Sequence, residues 1–461
     1  MARRFRSPFP CPGLGVLAMG AVLFAAGLGQ AAVMGTPTDV TFKSLNYDIN
    51  LVPDFAAGTV AGVERLRFES LADGVRTLAF TPDPLAVNAV LADGTPVSNA
   101  IEGERRVFHL ARPLRKGEVA TLVMSFAGRP KRDVAFDADE IHTNFFTCEV
   151  MICDDARPGD RATLSFALTL PVGMDAVAPG RLVSRGPAGE GREVWRWRED
   201  RTYPSYLYGF AAGRYSRARL DATGALSVLY RNETPERVQA MFADTARMIA
   251  FYESKAGVPL PEGRYTQVLA SDDAAQEDAA LTMIGEGYVA PILKDPHKDG
   301  LVAHELSHQW WGNLITCADW KELWLNEGLT SFMVAAYKEQ RWGRADYDRQ
   351  IASAKGDWVA AKAAGLDVPL SYGGDYPTLK DKRRIAYGKA VVFFDALRTE
   401  LGEAAFWKGL RDYTRANAGR SVTARDLETA FEAASGRDLS PMFRQWVFGD
   451  PASATSGASG F

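Results

Sequence analysis

Residues 304–308 read His304-Glu305-Leu306-Ser307-His308, and after eighteen intervening residues the chain reaches Glu327 inside Trp324-Leu325-Asn326-Glu327-Gly328. On a helix, two histidines four positions apart project from one face about one turn apart, so both imidazoles reach a single metal ion. A carboxylate from a second helix completes the two-histidine, one-carboxylate set of a catalytic zinc site, whose fourth position is left to water. Glu327 is the candidate third ligand. Glu305 lies beside the metal face of the first helix, where a carboxylate can take the proton of a water that attacks a carbonyl. It is the candidate general base, and one zinc ion is the expected cofactor.

The five-residue pattern alone is weak, because it recurs by chance on ordinary helix faces. Its surroundings strengthen it. The chain has five histidines, His109, His142, His297, His304 and His308, and two of them fall in the motif. Trp310, Trp311, Trp320 and Trp324 crowd the same segment, as a water-poor metal site requires.

A length of 461 residues exceeds one ordinary core and implies two domains. The 53 basic and 57 acidic residues leave a formal charge of -4, with no basic cluster interleaved with aromatics, which argues against a nucleic-acid partner. Hydrophobic residues at 47% and aromatics at 11% are those of a globular protein. At the N-terminus, Arg3, Arg4 and Arg6 precede an apolar stretch from Gly13 to Gly29, and Gly29-Gln30-Ala31 offers small residues for cleavage. Residues 1–31 therefore read as a signal peptide of a secreted or periplasmic protein, with no stable membrane insertion once it is removed. The alternative is an uncleaved membrane anchor. Export would place Cys148, Cys153 and Cys317 in an oxidising compartment, where Cys148 and Cys153 form either a small-loop disulfide or a pair of buried thiols. Cys317 reads as a small core residue.

Leu164, Phe166, Leu168 and Leu170 alternate with Ser165, Ala167 and Thr169, and Leu66 and Phe68 alternate with Arg65 and Arg67, the period of half-buried strands. Short strands recur to Tyr206-Leu207-Tyr208-Gly209-Phe210, which predicts an antiparallel domain over 37–215. From 233 onward the spacing turns helical, through Arg237 to Ser254 and a metal helix starting near Asp299 to Leu301. Thr423 with Asp426, and Ser440-Pro441, mark later helix starts. The Ala, Ser and Gly-rich residues 451–461 read as a flexible tail.

The run His304-Glu305-Leu306-Ser307-His308-Gln309-Trp310-Trp311-Gly312-Asn313, followed by Trp324-Leu325-Asn326-Glu327-Gly328, resembles the signature of the aminopeptidase N and leukotriene hydrolase family of gluzincin metallopeptidases. Phe251-Tyr252-Glu253-Ser254-Lys255 through Tyr265-Thr266-Gln267-Val268 is similar to the opening of that family's catalytic domain, and Tyr387-Gly388-Lys389-Ala390 resembles its Tyr-x-Lys-Gly motif. The resemblance implies an α+β protein in which an N-terminal antiparallel β saddle precedes a mainly helical, thermolysin-like zinc catalytic domain over 216–450. Pro441 to Gly449 resembles the end of that domain, so a short form lacking the family's helical C-terminal domain, with an open cleft, is expected. By the same match Tyr387 would donate a hydrogen bond to a tetrahedral oxyanion, and Glu149 would face the substrate's amino end.

One family element is altered. A Gly-x-Met-Glu-Asn loop ahead of the zinc helix carries the glutamate that grips a free α-amino group. Aligning Val289-Ala290-Pro291 with the strand after this loop puts Ala279-Ala280-Leu281-Thr282-Met283 on the motif and Thr282 in the glutamate's place. Thr282, Met283 and Glu286 become the substrate-binding candidates, and Glu277, Asp278 or Glu286 stands close enough along the chain to take over the amine. The expected function is a zinc-dependent peptidase acting on peptide substrates, foremost an aminopeptidase. The alternatives are a zinc endopeptidase or other amide hydrolase, and a catalytically silent peptide-binding module. Residue preference and oligomeric state are not legible.

Overall fold

The computed structural model describes residues 40–449 apart from 133 and 146. The expected signal peptide and the expected tail lie outside the described residues. The alternation at Leu164, Phe166, Leu168 and Leu170 builds the strand Arg161–Pro171, and all four side chains are buried. This strand pairs in parallel with Phe42–Asp54 and antiparallel with Arg192–Pro204, near one end of a ten-stranded sheet whose other pairings are antiparallel. A smaller antiparallel sheet joins Asp175–Val177, Ala211–Gly213, Glu140–Thr143 and Val134–Phe136. Phe68, Phe80, Phe108, Leu122 and Trp197 fill the core of this first domain. Cys148 and Cys153 are joined by a disulfide of 2.04 Å within that core.

The second domain opens with a five-stranded mixed sheet that begins at Ser216–Arg219. The chain from 233 onward is not helical throughout, contrary to the spacing. Tyr265–Ala270, Ala275–Asp278 and Leu281–Gly285 are strands, while Val289–Lys294, taken above for the strand after the loop, is a helix. Tyr265–Ala270 is buried at every residue, as parallel strands covered on both faces are, so it carries no alternation to read. The helical pattern around Arg237 to Ser254 divides into Pro235–Met241, capped by the Thr234 side chain, and Thr245–Ala256.

The path through this sheet places the site. Leu281–Gly285 lies parallel to Tyr265–Ala270, and Ala275–Asp278 is the edge strand, antiparallel to Leu281–Gly285. After Ala270 the chain must therefore step across Leu281–Gly285 to reach the edge. It does so over Gly285, where a Cβ would come within 2.4 Å of the Asp272 carbonyl oxygen. Beyond the sheet, the helices Gly300–Ser307, Trp324–Trp342 and Ala390–Asn417 pack around Trp324, Phe332, Phe393, Phe394 and Phe406. The helix Ala424–Ser435 starts with the capping box of Thr423 and Asp426. Among the described residues no helix is long and apolar enough to cross a membrane.

Arg161 ties the two domains together. Its guanidinium, at the start of the first domain's strand Arg161–Pro171, donates to the carbonyls of Asn313 (3.1 Å) and Leu314 (3.4 Å) and to Thr316 Oγ1, which follow the helix Gly300–Ser307 in the chain. It also donates to Thr202 O at 2.6 Å. Removing the donors would strand buried carbonyls, so Arg161→Leu is expected to lower stability by roughly 3 kcal/mol, read as a shift in the thermal or urea unfolding midpoint.

Candidate metal centre

His304 and His308 lie at the end of the helix Gly300–Ser307, and Glu327 lies in the first turn of Trp324–Trp342. The structure brings the three together, all buried. Their donor atoms form a small triangle: His304 Nε2 to His308 Nε2 is 3.0 Å, His304 Nε2 to Glu327 Oε2 3.3 Å and His308 Nε2 to Glu327 Oε2 3.5 Å. Four ligands around zinc at roughly 2.0–2.1 Å stand about 3.3 Å apart when tetrahedral. The triangle has that size. His308 Nδ1 donates to the Trp311 carbonyl oxygen at 3.0 Å; because a carbonyl only accepts, this bond fixes the tautomer and leaves the Nε2 lone pair for a metal.

The electrostatics also ask for a cation. Glu277, Glu305 and His308 form a second close group, with their polar atoms within 4.8 Å of one another, so several carboxylates converge on one imidazole. Burial opposes charge on His308, yet Glu327 and Glu277 outweigh it and push the imidazole up to about 10. Burial likewise opposes the Glu327 anion, and His308 and His304 outweigh it and hold the carboxyl below its usual range. Burial raises Glu305 well above the ordinary carboxylate range and pushes Glu277 up to about 7. Oε2 of Glu305 is buried without a hydrogen-bond partner among the described residues. The donor set fits a divalent cation.

Tyr387 stands on the π-helical segment Arg384–Lys389, with its ring 5.9 Å from the His304 ring and tilted by 15°. Burial first, then the charge of Glu327, raises its phenol well above 10, so it remains a donor. A π-turn shifts the side chains that follow it around the helix axis. This segment meets the Glu327 helix at Gly328, where a Cβ would lie 2.2 Å from Ala390 Cβ and 2.9 Å from Ala386 O. Gly328 thus lets the helix of the third ligand and that of the tyrosine touch.

The remaining sequence candidates fall elsewhere. Thr282 is fully buried in Leu281–Gly285, its hydroxyl spent on Gln276 O at 2.7 Å. Met283 is fully buried in a hydrophobic cluster with Val268 and Leu281. Glu286 is held by Asn232 Nδ2 at 2.8 Å, outside the cluster. Glu149 accepts from Lys131 N at 2.7 Å and from Arg132 Nε at 2.7 Å, so its carboxylate is consumed inside the first domain. Glu277 is the carboxylate the structure delivers instead. It faces Thr282 across the strand pair, one strand earlier in the chain. Pro291, a residue ill suited to a strand interior, and the β-type run Leu281-Thr282-Met283-Ile284 were the signals that could have placed it.

Residues 241–446 match the Peptidase family M1 domain. The chain contains an M1 peptidase domain. Relatives include aminopeptidase N of Lactococcus lactis subsp. lactis, 26% identical over 405 residues that make up 79% of this chain and 46% of that protein. The leukotriene A-4 hydrolase of Xenopus laevis is 24% identical over 435 residues, 87% of this chain and 69% of that one. The chain spans about half the length of the aminopeptidases it matches. In fold it is similar to an M1 zinc metallopeptidase from Deinococcus radiodurans, with a TM-score of 0.73 at 23% identity over 88% of this chain and 94% of the other. The expectation of a β domain followed by a mainly helical catalytic domain holds, with the mixed sheet added.

Gly328→Ala is expected to push the Glu327 helix off the π-segment, weakening zinc affinity at least tenfold and costing roughly 1–3 kcal/mol of stability, as read by competitive zinc titration and thermal unfolding.

Proposed function

We propose that this protein is a zinc-dependent aminopeptidase that releases residues from the free N-terminus of peptides. The observation that carries the reading is the position of Glu277. It lies in one tight cluster with Glu305 and His308. Within one residue the amide nitrogen and carbonyl carbon are only about 2.5 Å apart. A carboxylate this near the base can therefore pair only with the amine of the residue being cleaved, which makes the enzyme an exopeptidase.

His304, His308 and Glu327 would hold the zinc, which when bound supplies the Lewis acidity that acidifies a water and polarises a carbonyl. Glu305, whose Oε2 has no hydrogen-bond partner among the described residues, accepts the water's proton and later returns it to the leaving amine. Its raised pKa, caused first by burial, suits a group that must hold that proton between the two steps. Tyr387 donates to the oxyanion of the substrate. Glu277 pairs with the α-ammonium and fixes the register of the peptide.

Export is part of the same proposal and is supported by the Cys148–Cys153 disulfide, a bond that persists in oxidising compartments.

Glu305→Gln is expected to keep zinc and lose turnover by about a thousandfold, whereas His304→Ala loses both, by metal analysis beside peptide hydrolysis. One peptide offered with a free and an acetylated N-terminus tests the specificity. Only the free form is expected to be cut, and Glu277→Gln is expected to raise KM for it by roughly tenfold or more. Equal cleavage of both forms would make the protein an endopeptidase.

A further inference from the structure

Glu277 stands on a four-residue edge strand, and an edge strand has hydrogen-bonded support on one side only. Its placement depends on what holds its two ends. The C-terminal end is held by hydrogen bonds from both domains. Gln309 Nε2 and Asn313 Nδ2 donate to Asp278 O at 3.0 and 3.1 Å, Gly209 N donates to Asp278 Oδ1 at 3.0 Å, and Ala279 N donates to Leu207 O at 3.1 Å.

The N-terminal end is held by charge from the first domain. Where the chain steps over Gly285 toward the edge, Asp272 Oδ1 stands 3.2 Å from His142 Nε2. On the opposite edge of the same ring, His142 Nδ1 bonds Glu140 Oε1 at 2.6 Å. His142 and Glu140 both belong to the buried strand Glu140–Thr143 of the first domain. Arg231 stands 3.0 Å from Glu140 Oε2, and Asn144 Nδ2 donates to the other oxygen of Asp272 at 3.2 Å.

We infer that His142 is a positioning residue for the amine-binding carboxylate: as an imidazolium between Glu140 and Asp272 it clamps the crossing turn to the first domain and so fixes the edge strand that carries Glu277. The inference rests on the aminopeptidase reading for its consequence in catalysis, and on the contacts alone for its consequence in the strand. Nothing in it touches the reacting atoms. Its loss loosens the peptide's N-terminal anchor while leaving the metal ligands and Glu305 on their own helices.

The charge state follows from the neighbours. Burial disfavours the charged ring, but Asp272 and Glu140 outweigh it and raise His142 to about 9. The other groups in reach are Asp278, also acidic and near enough to be influenced by His142, and Arg231, Tyr215 and Asp137 around Glu140. A histidine with a raised folded pKa contributes fully below its unfolded value near 6.5 and ceases to contribute as the pH climbs through about 9. The clamp is closed at neutral pH and opens in alkali.

The experiment uses the zinc-loaded protein, its zinc content verified, in four forms: wild type, Glu277→Gln, Asp272→Asn and His142→Gln. Asp272 is partly exposed and Asp272→Asn leaves the buried Glu140–His142 pair in place, so it folds even where His142→Gln does not. At pH 7 Asp272→Asn and His142→Gln are expected to raise KM for a free-N-terminus peptide by roughly five- to tenfold with kcat nearly unchanged. Amide hydrogen exchange over 275–278 is expected to quicken in both variants at pH 7. At pH 10, where His142 is neutral, the wild type is expected to lose the same protection over 275–278 that the variants lose at pH 7, a readout in which the peptide's own amine plays no part. If Glu277→Gln leaves KM unchanged, the aminopeptidase reading fails, and faster exchange still upholds the clamp on the strand. If Glu277→Gln raises KM but neither Asp272→Asn nor His142→Gln does, or if exchange over 275–278 does not change, the inference is overturned.

Discussion

The structure turns on a concentration of buried negative charge. Glu277, Glu305 and Glu327 converge on His308, and Asp278 follows Glu277 in the chain, all of them buried. Carboxylates desolvated at this density either take up protons or gather around a cation. The two imidazoles turn their Nε2 atoms into the space where that cation belongs, and the Trp311 carbonyl keeps His308 in the tautomer that can bind it. The surrounding architecture then reads as what is needed to hold like charges together. The ligands stand on helices, the helices are packed into an aromatic core, and the helix of the third ligand is brought against the tyrosine segment through a glycine.

Two kinds of support meet at this site. The metal ligands and the base are carried by helices whose backbone bonds are internal and whose apolar faces are buried, so their geometry is set by the second domain's own core. Glu277 is carried by an edge strand whose outer ends are tied to Gly209, Leu207 and His142 of the first domain. The β domain thus takes part in holding the site. It supplies the bonds that give the edge strand one position.

The metal set was legible because helical spacing is local: two histidines four apart on a helix meet whatever the fold around them does. The first domain was legible from alternation, since its half-buried strands repeat with period two, as Leu164 to Leu170 do. The five-stranded sheet was not, because strands buried on both faces have no alternation, and Tyr265–Ala270 presents a uniformly buried run. That single omission left unread the hairpin in which Glu277 and Thr282 face each other. The roles of Glu149 and Glu286 were out of reach for another reason. A carboxylate's availability depends on which donors the fold brings to it, and Arg132 and Asn232 are distant enough in sequence that no local pattern announces them.

Division of support also divides function. On the proposed reading, bond cleavage depends on Glu305 and the ligands, and selection of a free N-terminus depends on Glu277. The first group is fixed within one domain, and the second across two. Changes in the first domain at Glu140 or His142 therefore act on peptide register before they act on chemistry, since no atom of either contacts the metal set. A selective element placed on an edge strand has little cooperative backing of its own, so its precision must be imported through charge and hydrogen bonds at its ends. The buried histidine between two carboxylates is such an import. It spends a costly desolvated charge at a point with no catalytic atoms, which is explicable if the position of the turn beside it matters.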